Sequence, residues 1–175
     1  GLGGWLDVAG RTVLDLGCGT GELCWLAVTL GAERVVGVNL SDGEIEFART
    51  HVDATFVLDD ILTYLSACPD GSVDRIFALN ILEHLSKDDL VKVLDQARRC
   101  LTEGGHLVAM VPNATSAYGT MTRYWDITHH TAFTPSSVRQ PRKHSGIAIT
   151  SSSTIEPGSV FPIRTSASPQ RPPAR

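Results

Sequence analysis

The sequence has no apolar run approaching the roughly 20 residues that a bilayer-spanning helix requires. The densest stretch, Leu23 to Leu30, is broken by Thr29. A membrane span is therefore not expected, and the stretch is read as a core helix. No CxxC pair occurs either. The four cysteines, Cys18, Cys24, Cys68 and Cys100, follow no zinc-like or dense disulfide spacing, which points to reduced thiols and a cytoplasmic setting. Internal repeats are absent. So is a basic face on the first 140 residues: residues 141–175 carry five basic groups against Glu156 alone, so the net charge of −4 leaves −8 for residues 1–140. Phosphate contacts supply most nucleic-acid affinity, so this balance argues against a nucleic-acid partner. The chain opens at Gly1 rather than Met, which leaves open what stands upstream.

What is present suffices for one core. A length of 175 residues with 42% hydrophobic content suits a single domain. Val13–Leu16 reads as a short strand ending in glycines, and Glu22–Leu30 as a helix stopped by Gly31. Arg34–Val38 is a β-branched strand. Ser41 and Glu44 then stand at capping-box spacing, so a helix should start there. Thr55–Leu58 and Val73–Leu79 are further strands, the latter reached through the turn Pro69-Asp70-Gly71. Ser86 and Asp89 repeat the capping pattern before Leu90, Val93, Leu94, Ala97 and Leu101, which share one helix face. Gly104-Gly105 ends that helix, and His106–Val111 is a fifth strand closed by Pro112. Strands separated by helices imply an α/β fold, a doubly wound and mostly parallel sheet whose ligands bind beyond the carboxyl ends of the strands. After Gln140 the character changes, with six of the nine prolines and seven serines crowded into 35 residues. The expected organisation is a domain over residues 1–140, incomplete at its C-terminus, and a low-complexity, disordered tail over residues 141–175. Strand five or a neighbour would then form an open sheet edge.

Gly17-Cys18-Gly19-Thr20-Gly21 follows the first strand, where glycines allow a sharp turn and close approach to a ligand at a helix N-terminus. A dinucleotide fingerprint would need glycine where Glu22 stands, so the nicotinamide reading loses its third glycine. The run Val13-Leu14-Asp15-Leu16-Gly17-Cys18-Gly19-Thr20-Gly21 resembles the first motif of class I S-adenosylmethionine-dependent methyltransferases. Four further stations follow in order: Val35 to Ser41, Phe56 to Ile61, Val73-Asp74 through Asn80 to Leu85, and Leu101 to Leu107. The resemblance implies a Rossmann-like fold and S-adenosylmethionine as cofactor. It assigns Asp15, Gly17, Gly19 and Gly21 to the loop and methionyl end, Asp60 and Ile61 to the adenine, and Asn80 to the turn after strand four. Asp15 alternatively reads as a turn-capping acid. Asn39 occupies the position whose acid, in the family, holds the ribose hydroxyls. It can accept a hydrogen bond but lacks the charge, so an Asp there should bind the cofactor more tightly. Asp74 reads as a strand-positioning acid.

His84 stands just after strand four, near where the activated methyl should lie, and either acts as general base or lines the pocket. Downstream, Arg123 to Val138 resembles an acceptor-side segment of bacterial small-molecule methyltransferases, through Asp126-x-Thr128-His129 followed by Phe133-Thr134. This adds His129 as a second catalytic candidate, or leaves a loop in which Thr134-Pro135 starts a helix. A metal site at Asp126, His129 and His130 is disfavoured because adjacent histidines share one ion poorly, and no metal is expected. The resulting expectation is methylation of a small-molecule acceptor, an oxygen of a sugar-like or lipid-linked hydroxyl. A catalytically inactive binding domain and a nicotinamide oxidoreductase are the alternatives.

Overall fold

The strands follow a period-two rule that sends alternate side chains into two separate cores, one on each face of the sheet. Leu14, Leu16, Val36, Val38, Ile76, Ala78, Leu107 and Ala109 pack on one face. Val13, Val35, Phe77 and Val108 pack on the other. Both faces of these strands are buried, which is why they read as continuous apolar runs. The computed structural model describes residues 6–116, 119–134, 136–137 and 163–166.

The elements run β1 (Thr12–Leu16), α1 (Glu22–Thr29), β2 (Arg34–Asn39), α2 (Asp42–His51), β3 (Thr55–Leu58), α3 (Ile61–Ala67), β4 (Val73–Leu79), α4 (Lys87–Cys100), β5 (Leu101–Met110), α5 (Gly119–Trp125) and β6 (Ile163–Ser166). A 3-10 turn at Leu82–His84 follows β4. The sheet order is β3-β2-β1-β4-β5-β6. The first five strands pair in parallel, as expected of a doubly wound sheet. Strand order reverses between β1 and β4, so the ligand crevice should open beyond Leu16 and Leu79.

On one face, α1 and α2 contribute Cys24, Ala27, Ile45 and Ala48 to the core. On the other, α3 and α4 contribute Ile61, Leu65, Leu90, Val93, Leu94, Ala97 and Cys100. The α4 positions recur at helical spacing, and removing Leu94 to Ala would cost about 2–5 kcal/mol as a cavity. Ser86 caps α4 as its spacing foretold, its Oγ accepting from the Asp89 amide at 3.1 Å and donating to the Asp89 carboxylate at 2.8 Å. Asp74 positions strands, accepting from the Thr12 amide and the Thr102 hydroxyl, each at 2.9 Å.

Three sequence expectations need correction. Ser41 makes no side-chain cap bond to α2; the Glu44 carboxylate instead accepts from Asn39 Nδ2 at 2.6 Å, a stronger, charge-assisted alternative. The fifth strand begins at Leu101 rather than His106. Leu101 pairs with Val73, and after the interruption at Glu103-Gly104-Gly105 the ladder resumes at His106 opposite Arg75. The outer side of β5 is also not an open edge, since β6 pairs antiparallel with it from His106↔Ser166 to Ala109↔Ile163. Backbone N–H and C=O groups on an edge favour a partner strand, and a short β-branched segment supplies it. Apart from β6, the tail expected after Gln140 lies outside the described residues, as does Pro135.

Candidate active site

Two turns border the crevice at the strand-order reversal. The first is Gly17–Gly21, held to the end of β2 by the Gly17 and Cys18 amides, which donate to Val38 O at 2.8 and 3.1 Å. Gly17, Gly19 and Gly21 all have positive φ, at 74°, 53° and 90°, a region that L side chains rarely adopt. A Cβ on Gly17 would stand 2.9 Å from Ile81 Cδ1, and one on Gly21 3.1 Å from Phe56 Cζ, whereas a Cβ on Gly19 would meet nothing within 4 Å. The loop is thus packed at both ends and open at its middle, with the N-terminus of α1 directly behind it. That cradle fits the polar tail of a nucleoside-bearing cofactor. Asp15 lies under the loop at 3% exposure, accepting from the Cys24 thiol at 3.6 Å. Burial pushes its carboxyl up to about 7, against the opposing thiol hydrogen bond and with a small addition from Glu22.

The second turn begins at Asn80, the one non-glycine residue with positive φ among those described, at 53°. Asparagine tolerates this conformation better than most residues, and the Asn80 amide is held by Met110 O at 2.8 Å. The chain is thereby directed into the 3-10 turn that carries Glu83 and His84.

The remaining cofactor candidates sit at neighbouring strand ends. Asn39 closes β2 and is engaged with Glu44. Asp60 caps α3, its Oδ1 accepting from the Leu62 and Thr63 amides at 2.9 and 3.0 Å. Ile61 is 6% exposed and packs into the core, so little of its surface remains to face a ring.

The structure brings the acceptor-side segment onto the second turn. The Glu83 carbonyl accepts from the His130 and Thr131 amides at 2.8 and 2.9 Å, and Thr131 Oγ1 donates to Leu85 O at 2.9 Å. Phe133 bridges to Asn113. His84 and His129 consequently meet edge to face with ring centroids 4.7 Å apart. Thr128 Oγ1 donates to Asp126 Oδ1 at 2.6 Å, and the Thr128 amide donates to the same oxygen at 2.8 Å. With its only proton committed, Thr128 Oγ1 accepts from His84 Nδ1 at 2.8 Å. Nδ1 therefore carries the ring proton of neutral His84, and Nε2 carries the lone pair. Burial and the neighbouring His129 hold the His84 imidazole below its ordinary value, with Asp126 and Thr128 opposing.

Glu83 was not singled out by the sequence reading. It is 2% exposed, its Oε2 has no hydrogen-bond partner, and burial raises its carboxyl against opposing backbone bonds and His129. With His129, Pro112, Ala114 and Thr131 it lines a small pocket of about 10 Å³, room for a single water-sized species. No signal short of the fold distinguishes this glutamate from a loop acid. Among the described residues no helix is long and apolar enough to cross a membrane, and all four cysteines are free.

Known proteins resemble this chain in sequence and in fold. A family model described as a methyltransferase domain matches residues 13–105. The ribosomal protein L11 methyltransferase of Aeromonas hydrophila is 32% identical over 117 residues, which is 65% of this chain and 40% of that protein. Its namesake from Burkholderia vietnamiensis is 40% identical over 88 residues, 46% of this chain and 27% of that protein. The chain thus spans less than half the length of these curated relatives. Among solved structures, a SAM-dependent methyltransferase from Archaeoglobus fulgidus superposes with a TM-score of 0.69 at 29% identity, covering 76% of this chain and 58% of that one. A putative methyltransferase in complex with the Haloferax volcanii Trm112 activator gives 0.73 at 18% identity over 90% of this chain and 83% of that one, a likeness of fold alone. With the family model covering more than half of its residues, the chain belongs to the class I S-adenosylmethionine-dependent methyltransferases.

Proposed function

We propose that the chain methylates an oxygen of a small hydroxylated acceptor, sugar-like or lipid-linked, with His84 as the general base. The observation that carries this reading is the Asp126–Thr128–His84 chain of hydrogen bonds, which leaves a lone pair on Nε2 beside the crevice. S-adenosylmethionine, when bound, supplies a methyl group already activated on its sulfonium. The open loop at Gly19 would admit the cofactor's tail, Asp15 and the loop amides would hold its methionyl end, and Asn39, Asp60 and Asn80 would border its nucleoside, with Ile61 backing the site from the core. His84 Nε2 would take the hydroxyl proton of the acceptor as that oxygen receives the methyl group from the sulfonium. His129, packed against His84, borders the acceptor and excludes water from the ring.

A protein acceptor is the second reading, favoured by the relatives named as ribosomal protein L11 methyltransferases. Methyl-tritiated cofactor separates the two when it is offered with a panel of hydroxylated small molecules and, separately, with protein L11. Label entering a small hydroxyl, and its loss in Gly19→Arg protein that remains folded, is the expected result. Label entering only L11 would refute the small acceptor. Failure of the folded chain to bind S-adenosylmethionine by calorimetry would refute the methyltransferase activity altogether.

A further inference from the structure

Glu83, His84 and His129 each offer one donor atom, and the three atoms all lie within 4.8 Å of one another. Among the described residues it is the one such group of metal-binding side chains. A second, independent observation points to a ligand. The Glu83 side chain is 2% exposed, its Oε2 is unpartnered, and it lines the same small pocket as His129. A buried carboxylate oxygen without a donor is costly, and a cation offsets that cost directly.

We propose that these three side chains form a binding site for a divalent ion of the zinc class. Two imidazole nitrogens and one carboxylate oxygen suit a borderline-soft ion, whereas magnesium and calcium require shells made of oxygen. Three protein ligands leave a fourth position open, as in catalytic zinc sites. The surroundings are built for ligation. Thr128 accepts the Nδ1 proton of His84, which fixes the ring and directs the Nε2 lone pair to the ion, as outer partners of metal-bound histidines do. The backbone of Glu83 is pinned at its carbonyl by His130 and Thr131. Tetrahedral ligation at about 2.0–2.1 Å places donors about 3.4 Å apart, so no pair need close by more than about 1.4 Å. Side-chain torsions of the two half-buried histidines supply that movement. The set differs from Asp126, His129 and His130, the combination weighed and disfavoured from the sequence, because the fold brings Glu83 and His84 against His129 and leaves His130 exposed.

The ion and proton abstraction draw on the same Nε2 lone pair. Occupancy should therefore inhibit methyl transfer, a consequence that rests on the base role proposed for His84, whereas the binding itself does not. The test is calorimetric titration of zinc chloride into the full, chelator-stripped chain, with S-adenosylmethionine binding measured in parallel. One equivalent of zinc is expected, with affinity at least tenfold lower in Glu83→Gln and in His129→Gln, unchanged in His130→Gln, and no comparable uptake of magnesium chloride. Thermal melts identify any variant that fails to fold, and the other variant then decides. Absence of zinc binding, equal affinity in folded Glu83→Gln and His129→Gln, or an equal loss in His130→Gln would overturn the site. Normal cofactor binding without zinc uptake refutes the metal site alone, whereas zinc uptake without cofactor binding refutes the methyltransferase reading alone.

Discussion

Replacing Asp15 by Asn should stabilise the protein at neutral and alkaline pH while weakening its hold on the cofactor. The carboxyl lies in β1 at 3% exposure, and burial raises it from an ordinary value of 3.8 to about 7. The folded state thus binds this proton more tightly than the unfolded state. The resulting stabilisation is fully present below about pH 4 and is lost as pH rises through 7. The separation of the two values corresponds to about 4 kcal/mol between pH 4 and pH 8. Asn has the same shape and leaves an oxygen to accept from the Cys24 thiol, but it does not ionise. Urea denaturation at intervals from pH 4 to 8 should show the two proteins nearly equal at pH 4, with the variant ahead by up to about 4 kcal/mol at pH 8. The difference between the curves isolates Asp15 from other titrating carboxylates. Calorimetry should show weaker S-adenosylmethionine binding by the variant, and wild-type affinity rising with pH through 7 as the carboxylate forms opposite the methionyl ammonium. Parallel stability curves across this range, or a variant less stable at pH 8, would refute the reasoning.

Asn39→Asp, which the sequence alone suggests should tighten cofactor binding, should gain little, because the new carboxylate would face Glu44 where Nδ2 now donates at 2.6 Å. The gain of roughly fivefold to tenfold expected of a charge-assisted bond should emerge only in Asn39→Asp/Glu44→Gln, as read by calorimetry. His84→Gln should lower kcat by about a hundredfold or more with cofactor affinity unchanged. Thr128→Val should lower kcat less and shift its pH profile, and Thr128→Ser should restore both; a profile unmoved by Thr128→Val would remove its positioning role. Truncation after Gln140 should leave the β5 edge unpaired, so light scattering should show more aggregation than in the full chain, and equal solubility would argue against β6 as an edge cover.

Local chemistry made much of this protein legible from its sequence. The strands β1 to β4, the glycine loop and the Ser86 cap depend on hydrophobic period, turn residues and contacts a few positions apart, and each formed close to where it was expected. The same reasoning failed at Ser41 and Glu44, where a partner at the end of β2 outcompeted the cap. Helix α3 and the early start of β5 were also missed, since Asp60 was assigned to the cofactor and Gly104-Gly105 to a helix stop. What tertiary structure alone decided is the chemistry around His84. Thr128 lies 44 positions away, and the Asp126–Thr128 turn reaches His84 only because the Glu83 carbonyl captures two amides of the downstream segment. No local period records such a pairing. The burial of Glu83, which leaves one oxygen of a loop acid without a hydrogen-bond partner beside two histidines, and the β6 cover on β5 arise likewise from segments distant in the chain that the parallel sheet brings together.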